Sequence, residues 1–461
     1  MVPRFFSCSK PGCAKPSVRG VGGCDFCNLQ FCGIHRSLPS HKCGDVLDDA
    51  TYVAHIVAEI DRLRSRINDE AVCALATSLN GGKSCSIEHS SRVGPDALMG
   101  SANYHARIRF HDGSPNWLMR VPRVTSCAVG LPESLAGYLI RSEYATLKFL
   151  ETTAVPAPRA FGFGVHGVGT HHGVGLSFLL MEELPGKSWQ GDGIDGKLAS
   201  QEDKARVLGG LADILIELAA HPFPKAGSLT LQGSDIQVSA VASDRFVVLS
   251  PEGPFDTSSS YYTAFAEQYL ALIADGQLYT EYPVDAYLAY RFLKDNAAQL
   301  AEEKNDLHQA EEKFYLKHVD DKGDHLLVDD DFNITGIIDW GMARVVPFNE
   351  AFSPSLVTAD MSSLCNGGGS LSDYDVALAR VMKERCYSRL VGCMGDDKVR
   401  RFFWGLALEP KWSYALPLAN AILRVFGVVQ EWTEWKEGAL KEYMSDERLQ
   451  GLLARAGSAV P

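Results

Sequence analysis

Eight residues able to bind a metal ion stand within the first 43 positions: Cys8, Cys13, Cys24, Cys27, Cys32, His35, His41 and Cys43. They fall in the stretch CSKPGCAKPSVRGVGGCDFCNLQFCGIHRSLPSHKC. Structural zinc takes four Cys or His ligands in a tetrahedron, so eight in one short segment imply two ions. A segment this small has too little apolar material for an ordinary core, and metal binding supplies its folding free energy instead. A disulfide knot built from the same cysteines needs an oxidising compartment and leaves both histidines without a role. The other cysteines are scattered between Cys73 and Cys393 and read as free thiols.

The order CxxxxC, CxxC, CxxH, HxC, with SLPSHKC following FCGIH, resembles the AN-one-type zinc finger. The resemblance implies interleaved ligation, with one zinc on Cys8, Cys13, Cys32 and His35 and the other on Cys24, Cys27, His41 and Cys43. It also implies a docking module for a protein partner near the ubiquitin and proteasome system. A net charge of −13 over 461 residues disfavours generic attraction to nucleic acid or to an anionic membrane. No apolar stretch approaches the roughly 20 residues that span a bilayer, and MVPRFFSCSK lacks the apolar region of a secretory signal. The expected location is the cytosol or nucleus.

At 46% hydrophobic content the chain can bury two or three folded units. Residues 1–44 form the finger, and 45–90 read as a helical linker in which Val53, Ile56, Val57, Ile60, Leu63 and Ile67 recur at helical spacing. That helix either packs on the next domain or holds the finger at a distance. LNGGKSCSIEHSS reads as a loop or boundary. Its GGKS is no phosphate loop, because Thr77 stands where that motif needs a glycine.

From residue 91 to 185 the pattern is two strands, YHARIRF and WLMRVP, then the helical ESLAGYLIRSEYATLKFLE, then the apolar GLSFLLMEELPGKSW. This order resembles the small lobe of the aminoglycoside phosphotransferase family, within the protein-kinase-like fold. The resemblance implies that Arg120 meets the nucleotide phosphates, that Glu143 pairs with it, and that Met181, Glu182 and Leu184 belong to the hinge that holds adenine. A cation must meet polyphosphate charge, and a carboxylate must hold that cation in place. The stretch GPDALMGSANYHARI is the candidate phosphate-covering loop and lacks the glycine pattern of protein kinases.

Residues 186–461 read as a mostly helical large lobe, making the whole an α+β bilobal kinase-like domain behind the finger. Within it, FYLKHVDDKGDHLLVDDDFNITGIIDW supplies His318, Asp320, an apolar strand, a turn, a second apolar strand, Asp339 and Trp340. By the family's register Asp320 is the base that prepares a hydroxyl, and Asp339 chelates magnesium. Where the family has Asn, this chain has His325. Imidazole suits manganese, zinc or other transition metals better than magnesium. Three readings are open: weaker magnesium binding helped by Asp321 or Asp324, a changed metal preference, or lost catalysis with nucleotide binding kept. Asp360 follows as an anchor for the segment after Trp340. Glu431, Trp432, Glu434 and Trp435 read either as a pocket lining or as a helix with Trp on its buried face. The expected activity is ATP-dependent phosphoryl transfer to a hydroxyl of a small molecule, and the alternative is a silent kinase-fold binding protein recruited through its finger.

Overall fold

The strand and helix periods of the sequence become a two-lobed fold, described here from a computed structural model. The structure describes residues 3–457, apart from 21, 25–26, 28, 42, 44–48, 92–97, 99, 101, 124–130, 170–171, 242–247, 302–311, 322 and 369–370. The small lobe is an antiparallel sheet of β1 (Cys85–His89), β2 (Asn103–Phe110), β3 (Trp117–Pro122), β4 (Ala160–Gly164) and β5 (Phe178–Glu182). Their order is β1-β2-β3-β5-β4. Alternate residues of β2, Tyr104, Ala106, Ile108 and Phe110, are buried, as a sheet with one covered face requires.

The helices that cover that face are Asp49–Arg64 and Asp69–Leu79. Their Ile60, Val72 and Ala76 share one core with Tyr104, Met119 and Val121 of the sheet. Glu59 and Arg123, each with a side chain 5% exposed, form a two-pronged ion pair at 2.9 and 3.0 Å that ties the first helix to the end of β3. The segment expected as a linker is therefore built into the small lobe. LNGGKSCSIEHSS, expected as a loop, holds a turn and then β1, whose five residues pair with Ala106–Phe110. Its Gly81 and Gly82 take positive φ, so the glycines mark the turn, and the strand is fixed by a partner far along the chain.

The long helix Glu133–Leu150 carries Glu143 and packs on β4, β5 and the turn at Trp340. In the large lobe, the helix Gln201–Ala219 starts at a reciprocal cap between Ser200 and Asp203, and the helices Ser258–Ala274 and Pro283–Asp295 pack together. The strand Phe314–Lys317 pairs with Arg344–Pro347. Between them lies the hairpin of Leu326–Val328 and Ile334–Ile337, joined by Lys187–Ser188. These short strands hold both ends of the catalytic stretch.

Trp432 is 2% exposed, lies against Trp412 and Trp435, and donates its Nε1–H to Asp285 at 2.8 Å. The packing account of that helix is the one the structure gives. Asp360 caps the short helix Met361–Cys365 by accepting from Ser363 N at 3.0 Å. Residues 94–97, 99 and 101 of the candidate phosphate-covering loop lie outside the described residues, as does Cys127, and the loop's last six residues belong to β2. Among the described residues, no helix is long and apolar enough to cross a membrane.

Candidate active site

The backbone enters the site through Val319 and leaves it through Asp339, both at positive φ, 65° and 64°. For a β-branched valine this is strained, at a cost of about 1–3 kcal/mol, and such strain persists only where neighbours over-determine it. The neighbours are visible. His318 Nε2–H donates to Ile338 O at 2.7 Å, and its ring lies edge-on to Trp340. Burial, and then the nearby His325, lower the His318 pKa, so it works as a neutral strut. Ile338 N donates to His325 O at 3.0 Å, and Trp340 Nε1 donates to Ile337 O at 2.8 Å. The two halves of the stretch are thereby locked together.

At the junction, one ligand atom from each of Asp320, His325 and Asp339 lies within 4.8 Å of the others. His325 Nδ1 lies 2.8 Å from Asp320 O. A carbonyl only accepts, so Nδ1 carries the proton and Nε2 is turned to Asp339 Oδ2 at 3.4 Å and Asp324 Oδ1 at 4.0 Å. With Nε2 as an acceptor, the imidazole and the carboxylates present lone pairs to one another, which is the donor set of a divalent cation. The residues fit such an ion, with His325 and Asp339 to hold it and Asp320 beside them. Asp321 is engaged elsewhere, accepting from Leu356 N at 3.2 Å.

Arg120, 6% exposed, donates to Glu143 Oε1 at 2.6 Å and, from Nη2, to Asp339 Oδ1. Its Nε is buried with no hydrogen-bond partner among the described residues. Burial works against ionisation of Asp339, but Arg120 and then His325 overcome it and hold the carboxyl well below the usual range. Burial raises the Glu143 carboxyl, Arg120 opposes this, and Asp339 adds to it. Arg120 therefore holds Asp339 charged and opposes the protonation that burial favours at Glu143.

Two residues that sequence reasoning missed stand here. Gly341 follows Trp340, and a Cβ there would lie 3.1 Å from Arg120 Nη2 and 3.3 Å from Glu143 Oε2, so only glycine leaves the clamp undisturbed. Its signal is a glycine directly after the Asp–Trp pair. His105 sits opposite Arg120 in the β2–β3 register and donates Nδ1–H to Leu98 O at 2.9 Å. Burial, then Arg120, push its pKa down to about 4. Nothing local in YHARIRF distinguishes it. Met181 and Glu182 end β5, and Leu184 packs close over Gly336 of the catalytic hairpin. None of the three lines the cavity of about 540 Å³ that opens beside Asp339.

In the finger, Cys8, Cys13, Cys32 and His35 form one group, and Cys24, Cys27, His41 and Cys43 form another. Cys8 Sγ and Cys32 Sγ lie 3.4 and 3.6 Å from His35 Nδ1, and Cys13 Sγ lies 4.0 Å from Cys32 Sγ. A tetrahedron with zinc bonds of about 2.0–2.3 Å has edges of about 3.3–3.8 Å, so the donors fit. His41 Nδ1 donates to His35 O at 2.9 Å, leaving Nε2 facing Cys24. Metal analysis is expected to find two zinc ions per chain and Cys24→Ser to retain one; zinc contents that do not fall in this variant contradict the assignment.

Residues 115–349, just over half of the chain, match the model of the phosphotransferase enzyme family, and residues 8–46 match the AN1-like zinc finger. Among solved structures the chain is similar to a candidate aminoglycoside phosphotransferase of Ralstonia eutropha, at 14% identity over 84% of this chain and 98% of that one, with a TM-score of 0.45. It is similar to a macrolide 2'-phosphotransferase of Brachybacterium faecium at 18% identity, over 77% and 97% of the two chains, with a TM-score of 0.34. It is also similar to an ethanolamine kinase of Plasmodium vivax at 10% identity, over 88% and 92%, with a TM-score of 0.38. No curated protein matches the chain.

Proposed function

The chain belongs to the phosphotransferase enzyme family, and on that premise we propose that it moves the γ-phosphoryl group of ATP to a hydroxyl of a small molecule. The convergence of Asp320, His325 and Asp339 within 4.8 Å, beside the buried cation Arg120, carries this reading. Asp320 orients the acceptor hydroxyl and takes its proton. Asp339 and His325 Nε2 hold a divalent cation, and manganese suits the imidazole better than magnesium. When bound, that cation neutralises triphosphate charge. Arg120 faces the phosphates, fixed by Glu143, with its unpartnered Nε left for a phosphate oxygen. Met181, Glu182 and Leu184 hold the adenine edge.

The 3.4 Å contact between His325 and Asp339 also favours a second reading. An imidazolium at His325 would neutralise Asp339 and take the cation's place, leaving a silent binding protein. The finger fits a docking role in either case, since its Leu29 and Ile34 are 47% and 60% exposed. A partner of the ubiquitin and proteasome system is the class its family implies.

The test is transfer of labelled γ-phosphate from ATP to a panel of glycerol, glucose, amino alcohols, aryl alcohols and hydroxy acids, with magnesium or manganese. Transfer faster with manganese, and shifted towards magnesium by His325→Asn, supports the enzyme. An absence of transfer with either metal, in wild type and His325→Asn alike, supports the silent reading.

A further inference from the structure

The finger is docked on the catalytic body. Arg4 grips Asp275 with two donors at 2.9 and 3.0 Å. Arg19, 6% exposed, donates from Nε to Gln277 Oε1 at 2.9 Å, from Nη1 to Val248 O at 2.8 Å, and from its backbone to Gln277 O at 2.8 Å. The Phe5 ring lies 3.7 Å from the Arg19 guanidinium carbon. A side chain at Gly33 has no room beside Thr280, so the two surfaces also meet closely there. A buried arginine with its donors placed is held in one geometry, unlike an exposed ion pair.

This docking has a chemical consequence, because the cavity of about 540 Å³ has the finger as one wall and the catalytic group as the other. Asp320, Asp324, His325 and Asp339 line one side. Phe5, Phe6, Val18 and Gln30 line the other, with Leu139 and Ile140 of the Glu-bearing helix between them. Met181, Glu182 and Leu184 are not in the lining while Arg120 and Asp339 are, so this is the phosphate end of the site, where an acceptor would meet the transferred group, and not the space beside the adenine hinge. Arg19 is engaged by Gln277 and Val248, and Arg120 by Glu143 and Asp339, with its remaining Nε assigned to the nucleotide. An anionic acceptor would therefore meet carboxylates, with no further arginine among the described lining residues to offset them, while an apolar body would meet rings and aliphatic chains.

We infer that the zinc finger is a wall of the acceptor site, in which Phe5, Phe6 and Val18 seat a hydroxyl compound with an apolar or aromatic body and no negative charge opposite Asp320. The inference rests on the phosphotransferase reading and adds to it a reason for the finger: zinc orders part of the acceptor pocket. No transferred atom comes from the finger. Phe5, Phe6 and Val18 position the acceptor, and Arg4 and Arg19 position the wall.

The test uses the full chain with both zincs, and three acceptors of similar size: phenylethanol (neutral), phenylalaninol (cationic) and phenyllactate (anionic). The variants are Phe6→Ala and Arg4→Ala/Arg19→Ala, none of them a zinc ligand, each checked to retain two zincs. The expected result is transfer to phenylethanol and phenylalaninol in preference to phenyllactate. Phe6→Ala should raise KM for the preferred acceptor about tenfold, because the ring no longer shields the acceptor's apolar body from water, with KM for ATP within about twofold. Phenylethanol alone, without nucleotide, should raise the melting temperature of wild type and not of Phe6→Ala. Unchanged acceptor KM in both variants, or a preference for phenyllactate, overturns the inference and leaves the phosphotransferase reading intact. Absence of transfer to any acceptor of the wider panel removes that reading, and the inference with it.

Discussion

Arg120→Ala is expected to destabilise the protein by about 3–5 kcal/mol and to abolish transfer, because it strands the buried acid Glu143 and unpairs Asp339. Glu143 is 4% exposed and loses its 2.6 Å partner, and Asp339 loses the cation that holds it ionised. The sign follows from the two acids. Burial already raises Glu143, so without Arg120 it takes up a proton at neutral pH, and Asp339 loses part of what keeps its pKa low. Chemical denaturation measures the loss. A double variant, Arg120→Leu/Glu143→Leu, separates stability from chemistry. It removes the buried pair together and should recover much of the stability while remaining inactive. Recovery of transfer in the double variant would show that the clamp is only structural.

Asp320→Asn is expected to leave the fold unchanged and to lower kcat by about 10²–10⁴-fold, the range of a positioned general base. The side chain is 24% exposed, and the contact that orients His325 is made by the backbone carbonyl of Asp320, which the substitution keeps. KM for ATP should therefore move much less than kcat. Equal losses in both would instead assign Asp320 to nucleotide and cation binding. An unchanged kcat would remove it from the chemistry.

The candidate residues behind these predictions were named from the sequence for different reasons. Asp320 and Asp339 sit in one continuous register of His, Asp, strand, turn, strand, Asp and Trp, and local order of that kind survives folding because each short element pairs with its neighbour. Arg120 and Glu143 needed the order of strands and helix across the small lobe, and the structure joins them at 2.6 Å. What escaped was non-local. β1 has five residues, and its strand state comes from pairing with Ala106–Phe110, not from its own pattern. His105 owes its place to a cross-strand partner, and Gly341 to the absence of a side chain beside Arg120. The eight zinc ligands were countable from spacing alone. That Arg4 and Arg19 of the same segment would close on Asp275 and Gln277 was not, since nothing near either arginine names a surface more than 200 residues away.

The substitution of His325 acquires a definite meaning once its tautomer is fixed. Nδ1 is committed to Asp320 O, so the nitrogen facing Asp339 is either a metal donor or a proton carrier. The two cases predict opposite behaviour towards divalent cations. Titration calorimetry of ATP into the full-length protein, with magnesium, with manganese and with neither added, reads this directly for wild type and Asp339→Asn. Binding of one ATP is expected to require a divalent cation, to be tighter with manganese than with magnesium, and to be lost in Asp339→Asn. Absence of binding with either cation, or binding that neither the cations nor Asp339→Asn affects, would contradict this.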